Sequence, residues 1–294
     1  MTKKNETIGF VGIGLMGRPM TLRLLEAGFS VSAWNRDRAK LTPLTTAGAV
    51  AVASIGKLTE ASSMILLCLS DTAAVESVVF GAGGVAEAAA PGKPVVDLSR
   101  IAPEATRQFA ARLKRRCSMG WVDAPVSGGI TGAEQGTLAI MAGGTKADVD
   151  RSRPVLAPLS RKVTHMGEVG SGQVTKICNQ MLVGCNALVI AEMIALAKRA
   201  GVDAEMIPEA LSGGFADSKP LQILGPEMAM EKFTPVKWHV KTLLKDLSMA
   251  TELSGSHGTS TPMSALAAQL MQLHATRGFL EQDLSTLIKL YRGQ

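Results

Sequence analysis

Cysteine and histidine are scarce in this chain, and their scarcity excludes several classes of site. The four cysteines, Cys68, Cys117, Cys178 and Cys185, form no CxxC pair and lie in apolar or helical stretches. That spacing argues against a disulfide framework and a zinc site, and it is typical of a reducing compartment. Because no His, Asp and Glu residues cluster at workable spacing either, the sequence predicts no metal centre.

The chain also lacks an uninterrupted apolar run of the roughly 18 residues that a membrane span needs. The segment from Ile8 to Met16 follows two lysines, as the core of a signal peptide would, but three glycines interrupt it. No small-residue cleavage site closes the segment. We therefore expect a cytoplasmic protein that makes no membrane contact.

Basic residues are in small excess over acidic residues. The formal net charge of +6 favours anionic small ligands over a nucleic-acid surface. The short basic cluster at 112–116 has no interleaved aromatic residues and fits the solvated face of a helix, so we predict no nucleic-acid partner. The hydrophobic fraction of 46% excludes a disordered chain, and 294 residues allow one or two domains.

The N-terminal half begins with a pattern typical of dinucleotide binding. The apolar strand from Thr7 to Val11 runs directly into Gly12-Ile13-Gly14-Leu15-Met16-Gly17, and a helical pattern follows from Met20 to Ala27. In this context Gly12 permits a tight turn, Gly14 lets a pyrophosphate approach, and Gly17 allows the helix to pack on the strand. We predict that the whole loop binds a cofactor; a merely glycine-rich turn is the alternative.

The residues after the second strand, Val31 to Trp34, bear on the choice of cofactor. Asn35 and Arg36 stand where the adenosine ribose would lie. An acidic residue there would bind the 2′-hydroxyl of NAD, whereas an arginine suits a 2′-phosphate. Since the acid comes only at Asp37, the pattern favours NADP over NAD. Alternatively, Arg36 stacks on adenine or faces solvent, and both cofactors remain usable.

Further apolar runs predict a parallel sheet covered by helices. Ligands of such sheets bind beyond the carboxyl ends of the strands, which makes Leu69, Ser70, Ser99 and Arg100 candidates for lining the cofactor. The predicted strands are Met64 to Leu69, Val95 to Ser99, Trp121 to Val126 and Leu138 to Ala142.

From about Gly167 onward, helical periodicity replaces the strand patterns. The segment from Gly172 to Arg199 predicts a helix about 40 Å long that is apolar around most of its circumference and therefore buried on nearly all sides. Shorter helices are predicted at 204–211, 221–230, 240–253, 263–276 and 280–291. The fold class is thus an α/β Rossmann domain with a parallel-sheet core (residues 1–168), followed by an all-α domain built around the long helix (residues 169–294).

Three polar residues, Lys176, Asn179 and Gln180, interrupt the apolar pattern near the start of that helix. At spacings of three and four they project to one face. A lysine rarely occupies such surroundings without a partner or a task. On these residues alone, a solvated first turn and a functional site are equally compatible with the sequence.

The glycine loop, the small-residue turn at 123–129 and the Lys176 face together resemble the β-hydroxyacid dehydrogenases, the family of 3-hydroxyisobutyrate dehydrogenase and tartronate semialdehyde reductase. The resemblance covers essentially the whole chain, through the turn at 136–138 to Lys245-Asp246-Leu247. It implies hydride transfer between NADP or NAD and a small β-hydroxy acid or its semialdehyde. Tartronate semialdehyde (2-hydroxy-3-oxopropionate) is favoured, while 3-hydroxyisobutyrate, 4-hydroxybutyrate, threonate and serine remain open.

The resemblance also implies roles for individual residues. Ser127 and the N–H groups of Gly128 and Gly129 would hold the substrate carboxylate. Lys176 would donate a proton to the carbonyl oxygen during reduction and accept one in the reverse direction. Asn179 would orient the lysine or the reacting oxygen.

Two further positions match the family. Gln180 stands where some relatives have a second asparagine, and tartronate semialdehyde reductases commonly have this Asn-Gln pair. Lys245 matches a lysine that reaches the cofactor near the nicotinamide; alternatively, it is an exposed helix lysine paired with Asp246.

One position departs from the family pattern. The family usually reads Asp-Met-Ser-Thr-Ile after the fourth strand, whereas this chain has Arg100 in place of the threonine. Arg100 either turns away or places a guanidinium near the cofactor or substrate, where it would suit an extra carboxylate or a hydroxyl-rich substrate.

Three other functions fit less well. A non-catalytic nucleotide-binding module or an imine reductase would generally have lost the lysine that Lys176 preserves, and a serine hydrolase built on Ser127 lacks a GxSxG elbow. Because the long helices expose apolar faces that one small domain could not cover, we expect a homodimer or homotetramer.

Overall fold

The computed structural model describes residues 6–291, and the chain divides into two compact units, residues 1–176 and 177–294. The first unit is built on one twisted sheet. Most of its strands are short apolar runs buried on both faces, as expected where helices cover a parallel sheet. The strands are β1 (Thr7–Val11), β2 (Ser30–Trp34), β3 (Val50–Ala51), β4 (Met64–Leu67), β5 (Pro94–Asp97), β6 (Gly120–Asp123), β7 (Val126–Ser127), β8 (Leu138–Gly143) and β9 (Ser160–Gly167).

The strand order is β3-β2-β1-β4-β5-β6-β8-β7, with β9 paired to β8. Strands β1 to β6 pair in parallel, which confirms the predicted parallel core. Strand β8 runs antiparallel to β6 and β7, so the sheet is mixed at this side. The single strand predicted from Trp121 to Val126 is therefore two strands. Pro125, which has no N–H to donate to a ladder, lies in the break between them.

Strand β9 is absent from the sequence-based prediction. Its Arg161, Lys162 and Met166 side chains are exposed, and the residues between them are only half-buried. Such a strand has neither a continuous apolar run nor a clean alternation of apolar and polar residues. Its place in the sheet depends on backbone pairing with β8, which a local pattern does not reveal.

Helices of the first unit flank the sheet. The Asp71 carboxylate caps the helix at Thr72–Phe80 by accepting the Ala74 N–H at 2.9 Å. On the helix at Pro103–Cys117, Leu113 is buried while the neighbouring basic side chains are exposed, which confirms the predicted solvated face. The helices are α1 (Gly17–Glu26), α2 (Thr42–Thr46), α3 (Ile55–Ala61), α4 (Thr72–Phe80), α5 (Pro103–Cys117), α6 (Gly129–Gln135) and α7 (Lys146–Leu156).

The second unit is helical. Helix α8 (Ser171–Arg199) begins in the first unit and continues into the second, followed by α9 (Ile207–Ala210), α10 (Lys219–Ala229), α11 (Val240–Ser256) and α12 (Pro262–His274). The predicted last helix is instead a 3₁₀ helix at Leu284–Tyr291. Residues 280–282 form a turn and a bend, and Asp283 forms a β-bridge with His239, so the helical path begins only at Leu284.

Helix α8 corrects one prediction. Its inner residues Ala187, Leu188 and Ile194 belong to the core of the second unit. By contrast, Leu182, Val189 and Leu196 are 69%, 53% and 69% exposed, so the prediction of nearly all-round burial is wrong. Within residues 6–291, α8 is also the one helix long and apolar enough to cross a membrane by length and composition, a test that core helices of soluble proteins pass as well.

Candidate active site

The glycine loop after β1 has the geometry that its three glycines predict. Gly12 has φ of 98°, and a Cβ there would lie 2.2 Å from the carbonyl oxygen of Cys68. A Cβ on Gly17 would lie 1.9 Å from the carbonyl oxygen of Gly12. At Gly14, by contrast, a Cβ would meet no atom of the described chain within 4 Å. The loop is therefore tightly packed at its ends and open in the middle, where a pyrophosphate would approach.

The rest of the loop is held by the end of β2. The Ile13 N–H donates to Asn35 Oδ1 at 2.9 Å, and Asn35 Nδ2 donates to the carbonyl oxygen of Asp37 at 2.8 Å. Leu15 is 78% exposed, and Met16 directly precedes α1. No side chain within the described ranges caps α1, and an uncapped helix N-terminus favours an anion. This surface fits a dinucleotide.

Arg36 and Asp37 differ in availability. The Asp37 carboxylate accepts the Ala39 N–H at 3.1 Å and so caps the 3₁₀ turn at Arg38–Leu41. Arg36 is exposed at the end of β2. The cap uses one carboxylate oxygen of Asp37, and the exposed Arg36 guanidinium is a group of the kind that binds a phosphate.

The candidates after β4 and β5 lie together, because these strands are parallel neighbours with Leu67 opposite Asp97. The Leu69 N–H donates to Ser99 Oγ at 2.9 Å, which links the two strand ends directly. Ser70 is exposed and donates to Asp71, while Arg100 is half-buried. The structure thus brings Leu69, Ser70, Ser99 and Arg100 to one edge of the sheet.

Two buried carboxylates at the same edge were not singled out from the sequence. Asp97 and Asp123 end β5 and β6 and are opposite each other in the register. Burial raises the pKa of each carboxyl to about 6, and for Asp97 the nearby Asp123 charge adds to the effect. The sequence does contain a signal for them: each is an aspartate at the last position of an otherwise mostly apolar strand.

Asp123 also meets the start of α8. Its Oδ1 accepts the Gly170 N–H at 2.7 Å, and its Oδ2 accepts the Gln173 N–H at 2.9 Å. The Gln173 side chain in turn donates from Nε2 to the carbonyl oxygen of Ser99 at 2.9 Å. The first turn of α8 is therefore bonded to the ends of β5 and β6.

The turn predicted to hold a carboxylate follows β7. Ser127 is half-buried and pairs with Ala139. Gly128 and Gly129 have φ of 140° and 64°, a conformation that other residues rarely adopt. A Cβ on Gly129 would meet none of the described atoms within 4 Å. The backbone at Gly129 is thus open to a ligand.

Lys176 lies on α8 and is only 7% exposed. Asn179 and Gln180 follow on the same helix. Gln180 is 2% exposed; its Oε1 accepts from Asn179 Nδ2 at 2.8 Å, and its Nε2 donates to the Asp246 carboxylate. Lys245, next to Asp246 on α11, is exposed. The amide of Gln180 thus links Asn179 to α11 within the second unit.

The fold and these residues define a class. A parallel sheet whose first strand ends in this glycine loop binds a nicotinamide dinucleotide at the carboxyl ends of its strands. A lysine on the helix that follows the sheet is 7% exposed, and lysine is one of the side chains that can transfer a proton in such reactions. The class is that of the dinucleotide-dependent oxidoreductases.

Comparison with known proteins gives the family. Residues 7–167 match the model described as the NAD binding domain of 6-phosphogluconate dehydrogenase, and residues 170–291 match that described as NAD-binding of NADP-dependent 3-hydroxyisobutyrate dehydrogenase. The chain is 35% identical to 2-hydroxy-3-oxopropionate reductase of Escherichia coli (strain K12) over 96% of each chain. It is 34% identical to 3-hydroxyisobutyrate dehydrogenase of Pseudomonas aeruginosa, over 98% of this chain and 99% of that one.

A solved structure agrees with these matches. The Mycobacterium tuberculosis 3-hydroxyisobutyrate dehydrogenase, solved with L-serine, has a TM-score of 0.88 at 28% identity and covers 98% of this chain and 99% of that one. The present chain belongs to the β-hydroxyacid dehydrogenase family. It is an NAD(P)-dependent oxidoreductase of hydroxy acids, as the sequence motifs predict.

Proposed function

We propose that this enzyme reduces 2-hydroxy-3-oxopropionate (tartronate semialdehyde) to the corresponding 2,3-dihydroxy acid. The observation that supports the proposal most directly is Lys176, a nearly buried lysine one turn before the linked Asn179-Gln180 pair. The 35% identity to the Escherichia coli reductase supports the choice of substrate. A 3-hydroxyisobutyrate-type substrate is the second candidate, supported by the Pseudomonas aeruginosa relative.

In the proposed mechanism each residue has one task. The N–H groups of Gly128 and Gly129, with Ser127, bind the substrate carboxylate, while Lys176 donates a proton to the aldehyde oxygen. Asn179 orients the reacting groups, and Gln180 orients Asn179 through their hydrogen bond. The reduced nicotinamide, when bound, supplies the hydride that reaches the aldehyde carbon. Hydride and proton together convert the aldehyde to a primary alcohol.

The cofactor in this proposal is NADP in preference to NAD. Arg36 is exposed at the end of β2, and one carboxylate oxygen of Asp37 is engaged in a cap. The residues that would hold the cofactor are Gly12, Ile13, Gly14, Leu15, Met16, Gly17, Asn35, Arg36, Leu69, Ser70, Arg100 and Lys245.

The proposal extends to assembly. Residues 169–294 would supply substrate contacts and the contacts between copies in a homodimer or homotetramer. The exposed apolar side chains on α8 support this role, because water contact with such a row is unfavourable.

The test is steady-state oxidation of NADPH and NADH by purified enzyme with a panel of small semialdehydes, and the reverse reaction with the matching hydroxy acids. We expect turnover with 2-hydroxy-3-oxopropionate and a preference for NADPH. Lys176→Ala should lower kcat by about 100-fold or more, since a positioned acid contributes on that order. Lys162→Ala, a change of an exposed lysine on β9, is the matched control. A kcat for Lys176→Ala within about threefold of the parent would contradict the mechanism.

A further inference from the structure

We propose that Asp123 and Gln173 are positioning residues, which fix the first turn of α8 to the ends of β5 and β6 and thereby set the position of Lys176. The inference deepens the proposed function and rests on it, because it takes Lys176 as the proton donor. In this proposal neither residue touches substrate or cofactor, and both act through Lys176.

The first observation is the way in which α8 begins. The first N–H groups of a helix have no partner within the helix, and a residue directly before it usually caps them. Here a carboxylate 47 to 50 residues earlier in the chain accepts the N–H groups of Gly170 and Gln173, one on each oxygen, at 2.7 and 2.9 Å. A cap supplied by a strand ties the helix to the sheet, which a local cap would not do.

The second observation is the close contact between helix and sheet. A Cβ on Gly172 would lie 2.4 Å from the carbonyl oxygen of Met141 and 2.6 Å from that of Asp123. A Cβ on Gly143 would lie 2.8 Å from the backbone nitrogen of Gly172. Backbone therefore packs on backbone, with no flexible side chain as a spacer. This contact leaves the first turn little room to shift.

The third observation is a second bond from the same turn. Gln173 is 1% exposed and donates from Nε2 to the carbonyl oxygen of Ser99 at 2.9 Å. Ser99 accepts the Leu69 N–H at its hydroxyl and donates its own N–H to Asp97, each at 2.9 Å. A continuous series of hydrogen bonds thus joins Leu69, a predicted cofactor-lining residue, to the first turn of α8.

The two bonds act on Lys176 through helix geometry. Gln173 and Lys176 are three residues apart, one turn along the same face of α8. Any rotation or slide of the first turn therefore moves the lysine. Because a misplacement of about 1 Å can cost on the order of 100-fold in rate, two ties on this turn have a direct catalytic consequence.

Charge favours the same arrangement. Burial raises the pKa of Asp123 to about 6, so the carboxyl is mostly ionised in neutral solution. An ionised carboxylate accepts on both oxygens, and its charge is favourable at a helix N-terminus. An asparagine in its place has one oxygen, and its NH₂ group would face an N–H donor.

The experiment compares Asp123→Asn and Gln173→Leu with Asp150→Asn and Gln108→Leu, which change exposed residues of the same two types in the same unit. Turnover is measured per cofactor-binding site, so that unfolded protein does not count. We expect kcat to fall about tenfold or more in both test variants, with the Kd of NADPH changed by less than about threefold. The pH dependence of kcat should also change in both test variants, because the surroundings of the proposed proton donor change; lower stability alone would leave that dependence unchanged.

Hydrogen–deuterium exchange gives a readout that does not depend on turnover. Amides of residues 170–176 should exchange about tenfold faster in both test variants and at parental rates in the controls. Unchanged exchange, or an unchanged kcat and pH profile, would overturn the positioning role. If the parent protein itself turned over none of the substrates, the proposed function would fail, and the exchange rates would still decide whether the two residues fix the helix. Gln173→Leu keeps the test valid if Asp123→Asn does not fold.

Discussion

Among single residues, the two buried aspartates at the sheet edge both have raised pKa values. Asp97 is fully buried, and burial raises its pKa from 3.8 to about 6. Within the described part of the chain, Asp97 Oδ2 has no hydrogen-bond partner. Because the folded protein holds the proton more tightly than the unfolded chain does, this group lowers stability progressively as the pH rises from about 4 to about 6.

Replacing this carboxyl should therefore change stability in a pH-dependent way. The quantity to compare is the free energy of unfolding of Asp97→Asn minus that of the parent. We expect this difference to be about 1 to 3 kcal/mol larger at pH 8 than at pH 4, since a pKa unit corresponds to about 1.4 kcal/mol. Denaturant titrations at both pH values measure the difference. Asp150→Asn, on the surface, should not reproduce it. Parallel stability profiles for Asp97→Asn and the parent would show that the buried charge costs nothing.

Arg36 is the residue that should decide the cofactor. If its guanidinium meets the 2′-phosphate, Arg36→Ala loses a charged hydrogen bond, which is worth about 1.5 to 3 kcal/mol. We expect the KM for NADPH to rise about tenfold or more while that for NADH changes less than about twofold. Arg161→Ala, at an exposed arginine of β9, is the control. Equal changes for the two cofactors would indicate that Arg36 stacks on adenine or faces solvent.

At the scale of elements, substitutions at two glycines of the loop after β1 should differ in their effects on stability and on cofactor binding. A Cβ at Gly12 collides with the backbone of Cys68 and also requires a positive φ, so Gly12→Ala should lower both stability and cofactor affinity. Gly14→Ala places its methyl in space that is open within residues 6–291. It should leave the melting temperature unchanged and weaken NADPH binding about tenfold or more, because the methyl occupies the approach of the pyrophosphate.

Isothermal titration and thermal melts of the two loop variants test this difference. Gly255→Ala on α11 is the control: its Cβ meets no described atom within 4 Å, and its φ is not positive. It should leave the affinity for NADPH unchanged. Tight binding by Gly14→Ala would place the pyrophosphate elsewhere.

Elements also show where local pattern suffices. Continuous apolar runs such as those at β1, β4 and β5 predict buried strands, because a short run of apolar residues has no polar face to turn to water. The long apolar period predicts α8 to within one residue of its start. Strand β9, with exposed Arg161 and Lys162, has no such signature, and the Asp123 bonds to Gly170 and Gln173 join residues far apart in sequence. The glycine loop was therefore predictable, whereas the fixing of α8 was not.

For the whole molecule, the outer face of α8 shows why an apolar period does not predict burial. Leu182, Val189 and Leu196 recur every seven residues and form a row along the helix, yet all three are more than half exposed. The sequence specifies that a helix has apolar residues on several faces. What covers each face depends on the other helices available, and within one copy of the described chain this row stays open to water.

The proposed assembly gives this row a testable role. Each leucine that a second copy covers would stabilise the assembly by about 1.5 to 3 kcal/mol, and a glutamate in its place would oppose association through its charge. We expect the parent to be a dimer or tetramer at micromolar concentration, and Leu182→Glu with Leu196→Glu to reduce it to a smaller species. Since both side chains are 69% exposed, the variant should keep its helical circular dichroism. Val50→Glu, at a 61% exposed apolar residue of β3, is the control and should leave the mass unchanged. Sedimentation velocity measures all three proteins; a monomeric parent, or a double variant of unchanged mass, would mean that α8 does not mediate assembly.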